Sequence, residues 1–310
     1  MNRCALSVGA VVVLVLAAGC GSPTATANAV TVGVLPVVDV APIYLGRAKG
    51  FFAARKIDLT LETAKAGQAM IPGVLDGHFH FGFCPVTTLM AARTRNVAVK
   101  GVVNGAASTG KEGADFGALV VAKDSPIRSA RALADRRIAV TALKGLGDVS
   151  VRESVRKAGG DPATIDFVAT DAPQAELEQG KVDAAWLVEP SLSAVKAKGG
   201  RVVASAFVDV AKNLTVGLYF TSAKLLDSDP DLVRRFTDGM LESLAYADAH
   251  PEEVRQALTG YLRIDDATLE AMTLPRWPIV PDRPSLERLA ALGKKDGLFT
   301  TTPNLDDLLP

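Results

Sequence analysis

From Val30 onward, short, dense apolar runs alternate with longer stretches in which apolar residues recur at every third or fourth position. Val30–Leu35 (VTVGVL) is of the first kind. It is β-branched, apolar and stopped by Pro36, as expected of a strand covered on both faces of a sheet. Phe79–Phe83, Val97–Val103, Gly117–Val121, Ile138–Thr141, Phe167–Ala169, Val182–Leu187, Val202–Ala204 and Gly217–Thr221 read the same way. Asp231–His250 is the clearest of the second kind, because Val233, Phe236, Met240 and Leu244 fall on one helical stripe. After the first strand, Pro42 in the opening turn and Gly50 just past Lys49 mark a helix that begins with proline and stops at glycine. There is no internal repeat and no heptad seam. The pattern predicts an α/β fold with mostly parallel sheets.

The amino terminus breaks this rhythm. Met1-Asn2-Arg3 is a short basic start, Val8–Ala18 is apolar, and Ala17-Ala18-Gly19-Cys20 ends the run with small residues. Residues 1–19 are therefore expected to be a secretory signal whose removal leaves Cys20 first. The segment resembles the bacterial lipoprotein pattern, with Ala17 where leucine is commonest and Leu16 one place further out. That resemblance implies lipidation at Cys20 and attachment to a membrane through buried acyl chains, at about 0.8 kcal/mol per methylene. The apolar run is shorter than the ~20 residues of a spanning helix. Residues 20–29 (CGSPTATANA) are small and polar and are expected to form a flexible tether.

Composition narrows the partners. Lysine plus arginine and aspartate plus glutamate number 34 each, so no net field recommends nucleic acid. Of the three cysteines, Cys4 would leave with the signal and Cys20 would carry lipid, so no intramolecular disulfide is expected in the processed chain. About 280 residues are more than one compact core usually serves, so two lobes are expected.

Sheets of this kind bind ligands at the carboxyl ends of their strands. Four segments qualify, each with candidate contacts: Val38 and Asp39 after the first strand; Cys84, Val86 and Thr87 where Pro85 starts a helix; Leu143, Lys144, Gly145 and Asp148 in a third loop; Trp186 and Glu189 in the last. Asn104, which ends a strand and can both donate and accept, joins them. Backbone donors at Val86–Thr88 and Gly145–Gly147 suit an anionic group, and Lys144 can add a full charge. Asp39 and Asp148 stand equally well as helix caps or as ligand contacts. Trp186 is either a stacking surface or core. Gly145-Leu146-Gly147 lacks the third glycine of a dinucleotide loop and no phosphate loop occurs, so no cofactor is expected. His78 and His80 share a face if Phe79 is in a strand, yet no third ligand completes a metal set. Cys84 reads as a buried thiol that can still line the pocket.

Several of these segments also carry a family resemblance. Val34-Leu35-Pro36, Ala41-Pro42-Ile43-Tyr44-Leu45, Lys49-Gly50-Phe51-Phe52, Leu75-Asp76-Gly77, Phe81-Gly82, Lys123-Asp124-Ser125-Pro126-Ile127, Gly180-Lys181-Val182-Asp183-Ala184-Ala185 and Glu189-Pro190 follow one another in the order and spacing of a known group. The chain resembles the solute-binding lipoproteins of nitrate/sulfonate/taurine-type ABC importers, a group that also includes binders of thiamine-precursor pyrimidines. The resemblance implies a type II periplasmic-binding-protein fold, with residues 30–108 and 215–310 in one lobe, 115–210 in the other, and crossings at 109–114 and 211–214. It implies no catalysis, and instead capture of a small organic solute by a monomer that delivers it to an ABC permease and ATPase at the outer face of the cell membrane. A cleft holding several carboxylates suits an amine or aminopyrimidine better than nitrate, and replacing Asp39 or Glu189 by alanine is expected to weaken an aminated ligand at least about tenfold. Two other classes stay open: an enzyme of the same fold, similar to pyrimidine synthases or chorismate-type dehydratases, and a surface lipoprotein that senses a ligand.

Overall fold

A computed structural model describes residues 28–64 and 69–309, and its framework is a pair of five-stranded sheets. The first contains β1 (Asn28–Val34), β2 (Ile57–Thr63), β3 (Phe81–Pro85), β4 (Val99–Asn104) and a late arrival, β10 (Gly217–Ser222), in the order β2-β1-β3-β10-β4. The second contains β5 (Gly117–Val121), β6 (Arg137–Val140), β7 (Asp166–Ala169), β8 (Ala184–Val188) and β9 (Arg201–Ala204), in the order β7-β6-β8-β5-β9. β1 runs parallel to β2 and β3, and β6 to β7 and β8. β10 is antiparallel to β3 and β4, and β5 to β8 and β9. Four strands of each sheet therefore share a direction. The reversed strand in each is the one by which the chain arrives from the other lobe.

This topology fixes where the lobes face each other. β4 ends at Asn104, the chain crosses, and β5 starts at Gly117. Because β5 lies antiparallel to β8, with Gly117 opposite Val188, the carboxyl end of β8 lies beside the crossing. The same holds for the other lobe, where β10 starts at Gly217 opposite Pro85, the last residue of β3. The carboxyl ends of both sheets thus converge on one junction. The fold is the two-lobed α/β architecture that the alternation of strands and helices predicts.

Helices cover both sheets. In the first lobe, α1 (Ala41–Ala48), α2 (Met70–Leu75) and α3 (Val86–Arg93) follow β1, β2 and β3. In the second, α4 (Leu146–Lys157), α5 (Pro173–Glu178), α6 (Ser191–Ala197) and α7 (Ala206–Val210) follow β6, β7, β8 and β9. After β10 the chain is helical: α8 (Ala223–Ser228), α9 (Pro230–Ala249), α10 (Pro251–Leu258), α11 (Asp266–Ala271), α12 (Arg283–Lys295) and α13 (Leu305–Leu308). The apolar stripe of α9 packs on α1 and the sheet, with Phe236 stacked on Phe81 at 3.8 Å between ring centres. α12 has a different task. It packs on α3 of the first lobe and on α4 and α7 of the second, so it straddles the junction.

Two differences from the sequence pattern have simple causes. β2 is absent from the predicted strands because Asp58, Thr60 and Glu62 alternate with its apolar residues, the pattern of an edge strand with one wet face. β1 begins at Asn28 and pairs it with Ile57, so the sheet takes in the last two residues expected of the tether. Val97 and Phe79 precede their strands, which start at Val99 and Phe81. The predicted signal and the lipidation position Cys20 lie outside the described residues.

The junction itself holds three ribbons. Gly105 N–H donates to Gly217 O, Val216 N–H to Ala106 O and Ser108 N–H to Leu214 O, each at 2.9 Å, which zips the two crossings together. Gly105 has to be glycine here, since a Cβ would lie 2.7 Å from Gly217 O and 2.5 Å from the Phe83 ring. A third segment joins them from the carboxyl-terminal side. Ala107 and Arg276 exchange both backbone bonds, at 2.9 and 3.0 Å. No apolar run marks this third ribbon in the sequence, and its pairing partner lies far away along the chain.

Candidate functional site

At the first-lobe side of the junction, the turn Val38–Val40 leaves β1 and presents Asp39. Three long-range bonds lock its surroundings. Trp277 Nε1–H donates to Asp39 O at 3.0 Å, Tyr261 O–H donates to Val37 O at 3.0 Å, and Asn104 Nδ2–H donates to Pro278 O at 2.6 Å. The third ribbon, through Trp277 and Pro278, therefore joins the end of β1 to the end of β4. Tyr261 also stacks on Tyr44 of α1, with ring centres 3.9 Å apart and planes within 3°. The result is an aromatic wall beside a carboxylate.

The electrostatics of this corner are unusual. Asp39 keeps partial exposure, yet the protein around it strips enough water to push its carboxyl up to about 6. Burial, and then the negative charge of Asp39, hold the Tyr219 hydroxyl well above its ordinary value; Tyr261 is raised likewise, mainly by burial. Tyr219 Oη, Asn104 Oδ1 and Thr87 Oγ1 are buried without a hydrogen-bond partner among the described residues. Buried polar atoms are rarely left so.

The remaining first-lobe candidates play quieter parts. Val38 and Cys84 are fully buried, and burial pushes the Cys84 thiol far above its ordinary range. Val86 opens α3, but its N–H is committed to Val216 O at 2.9 Å.

In the second lobe the candidates divide. Gly145 caps α4, Lys144 precedes it with φ at 53°, and Leu143 is half exposed. Asp148 is buried and holds this loop: one oxygen accepts the Lys144 N–H at 3.0 Å, the other the Arg152 Nε–H at 2.5 Å. Trp186 lies beneath the start of α4, where a Cβ on Gly147 would meet its ring at 2.8 Å, and it contacts Phe207 edge-on; its Nε1–H is buried without a partner among the described residues. Glu189, also buried, precedes Pro190 through a cis peptide and accepts from Ser193 N–H at 2.9 Å, Ser193 O–H at 2.8 Å and Thr273 N–H at 3.1 Å. Its carboxyl is raised by burial in spite of those donors. Thr273 lies at the head of the third ribbon, so Glu189 ties the second lobe to the carboxyl-terminal segment.

The structure thus brings Asp39 and Asn104 into one corner and gives Asp148 and Glu189 donors of their own. Tyr44, Tyr219, Tyr261 and Trp277 are absent from the candidates read in the sequence. Tyr44 lies on α1, just after the turn that carries Asp39. The other three arrive from distant parts of the chain, and no local signal marks them. His78 and His80 sit elsewhere: His78 pairs with Glu62 at 3.0 Å, and His80 Nδ1 accepts the Thr31 N–H at 3.1 Å. No group of three or more metal-binding side chains occurs among the described residues.

Comparison with known proteins follows this geometry. Residues 37–254 match the family described as NMT1/THI5 like. The chain belongs to that family. Among solved structures it is similar to the ligand-binding component of an ABC-type import system from Staphylococcus aureus, with TM-score 0.77, 13% identity, and 91% of this chain and 96% of that one covered. It is similar to the alkanesulfonate-binding protein SsuA from Xanthomonas axonopodis pv. citri bound to MOPS, with TM-score 0.74, 16% identity, and coverage of 92% and 99%. The desulfurization enzyme DSZB shares the fold as well, with TM-score 0.63, 18% identity, and coverage of 90% and 95%. Among curated proteins, none matches this chain. The NMT1/THI5-like chain thus has the fold of the periplasmic solute-binding proteins of import systems.

Proposed function

We propose that this NMT1/THI5-like protein is the extracytoplasmic receptor of an ABC importer, anchored to the membrane by lipid on Cys20, which captures a small organic solute between its lobes and delivers it to the permease and ATPase. The observation that supports this most directly is the convergence of both sheets' carboxyl ends on one junction that holds buried polar atoms without partners among the described residues. A ligand touching both lobes stabilises their closed arrangement, and the permease reads that shape. Sulfonates, taurine-like compounds and pyrimidine-like compounds are the classes for the first screen, and no bond is made or broken. The buried, hard-to-ionise Cys84 thiol is a poor nucleophile, which speaks against an enzyme built around it.

The experiment is a thermal-shift screen of the protein purified from membranes in detergent. A ligand at a hundred times its dissociation constant adds about 2.7 kcal/mol. A compound that stabilises the protein and is recovered intact supports the receptor; one that is consumed supports an enzyme. Cys20→Ser should shift the protein from the membrane fraction to the soluble fraction, and unchanged partitioning removes the anchor.

A further inference from the structure

We propose that the turn after β5, where Arg128 and Arg201 meet, is a binding site for a phosphate group, carried by the headgroup of an anionic phospholipid or free in solution. The site lies at the end of the second lobe away from the junction, and it does not depend on the receptor reading.

Its geometry begins with two strands. β5 and β9 are antiparallel, with Val121, the last residue of β5, opposite Arg201, the first of β9. Beyond Val121 the chain turns through Ser125-Pro126-Ile127-Arg128, and Ser125 Oγ accepts the Ile127 N–H at 3.3 Å. Two guanidinium groups converge on two carbonyls of this turn. Arg201 donates from Nη2 to Ser125 O at 2.7 Å and to Ile127 O at 3.0 Å. Arg128 donates from Nη1 to the same Ser125 O at 2.5 Å and lies 3.5 Å from Ile127 O. The two nitrogens are thus no further apart than the sum of 2.5 and 2.7 Å.

Carbonyl dipoles hold these cations without neutralising them, and like charges this close repel even in water. Each guanidinium also keeps donors in reserve, since Nε and the second Nη of both arginines make no hydrogen bond among the described residues. A third cation joins them. The stem of Lys123 packs over the turn into β9, where a Cβ on Gly199 would lie 2.9 Å from Lys123 Cδ.

No carboxylate answers this charge. Lys123, Arg128 and Arg201 take part in no ion pair among the described residues. Their neighbours are treated differently: Arg136 pairs with Asp183, Arg137 with Asp166, and Lys198 with both oxygens of Glu178. Asp124, the one carboxylate between Lys123 and Arg131, is exposed and stands in no such pair. In a chain whose charges balance at 34 of each sign, this corner is lopsided. A planar guanidinium fork takes two oxygens at once, and a tetrahedral phosphate offers an edge to each fork, whereas a carboxylate has one edge to share. Lys123 and Arg128 are exposed, so a headgroup reaches them as readily as free phosphate does.

The test uses the full-length protein in detergent, read by thermal shift and calorimetry. Sodium phosphate is compared with sodium chloride at equal ionic strength, and micelles containing phosphatidylglycerol with micelles containing phosphatidylcholine. Phosphate, phosphatidylglycerol or both should stabilise the protein beyond their controls; phosphatidylglycerol alone assigns the headgroup, and phosphate binding at least as tightly assigns the free anion. Arg128→Gln should weaken the binding at least about tenfold. Arg128→Lys, which keeps the charge and loses the fork, should weaken it severalfold, and Asp124→Asn should leave it unchanged or tighter. Arg201→Gln should match Arg128→Gln; because Arg128 is exposed, its variants test the site even where Arg201→Gln fails to fold. Stabilisation no greater than the controls overturns the inference. So does equal binding by wild type and Arg128→Gln, the result for an anion held in the cleft, and so does full binding by Arg128→Lys, the result for diffuse attraction.

Discussion

Arg288 on α12 donates to Glu153 on α4 at 2.7 Å, an ion pair between a carboxyl-terminal helix that packs on the first lobe and the body of the second. It belongs to a chain of charges. Glu153 also accepts from Arg156 at 2.5 Å, and Arg156 reaches back to Asp296 at the end of α12 at 2.6 Å. Glu153 and the Asp296 side chain are nearly dry, with the latter raised by burial in spite of Arg156. The two lobes are thus tied by polar groups beside the crossings, where apolar packing would resist relative movement less selectively.

The members of this chain should not be equal. Glu153→Ala leaves Arg156 partly buried with one partner fewer and Arg288 with none among the described residues, and should cost about 3 kcal/mol. Arg288→Ala removes a side chain that is 47% exposed and should cost less than about 1 kcal/mol. Urea titration of both variants checks the contrast. Equal losses would mean that burial of Glu153 carries no penalty.

Glu189 has its oxygens aimed at three donors from two segments, so a glutamine there must turn its amide nitrogen toward at least one N–H or O–H. Glu189→Gln should destabilise by about 1–3 kcal/mol. Hydrogen exchange should report the loss locally, at the Ser193 and Thr273 amides. Unchanged protection of Thr273 would remove the proposed tie between the second lobe and the third ribbon.

How much of this was readable in the chain follows from range. β1, β6 and β8 are dense apolar runs, and α1 has its proline and glycine in place, because buried strands and helix ends are set by neighbours in sequence. β2 was not readable, since an edge strand alternates. The corner around Asp39 was half readable: Asp39 and Asn104 stand at strand ends, and the rule about carboxyl ends finds both. Tyr261 and Trp277 were out of reach, because Tyr261 is held by a long-range bond to Val37 O and Trp277 sits on a ribbon that pairs with Ala107, far away along the chain. The capping alternative for Asp148 is a matter of which donors come near, and that is decided by the loop's left-handed turn at Lys144 rather than by composition.

Gly147 is a position where packing rather than backbone conformation demands glycine. A Cβ there would lie 2.8 and 2.9 Å from two atoms of the Trp186 ring, which Phe207 holds from another side. Gly147→Ala should therefore cost about 1–3 kcal/mol, despite alanine's better helix propensity. Pairing it with Trp186→Phe, which frees space, should recover part of the loss in a double-mutant cycle. Additive costs would place the indole away from the start of α4.

The Asp39 carboxyl makes a prediction whose sign runs against intuition. Its ordinary value of 3.8 is raised to about 6 in the folded protein, so the favourable contribution is complete below 3.8 and is lost as pH rises through about 6. The full shift would correspond to about 3 kcal/mol, and partial exposure reduces it to about 1–3 kcal/mol. Of the tyrosines facing Asp39, Tyr219 and Tyr261 are raised above their ordinary range, which keeps them neutral throughout this window. Asp39→Asn removes the ionisation. The ligand-free variant should be more stable than wild type above about pH 6, and the difference should vanish below about pH 4. Urea titrations across that range check it, and parallel stability curves for the two proteins would show Asp39 to be as well solvated as in the unfolded chain.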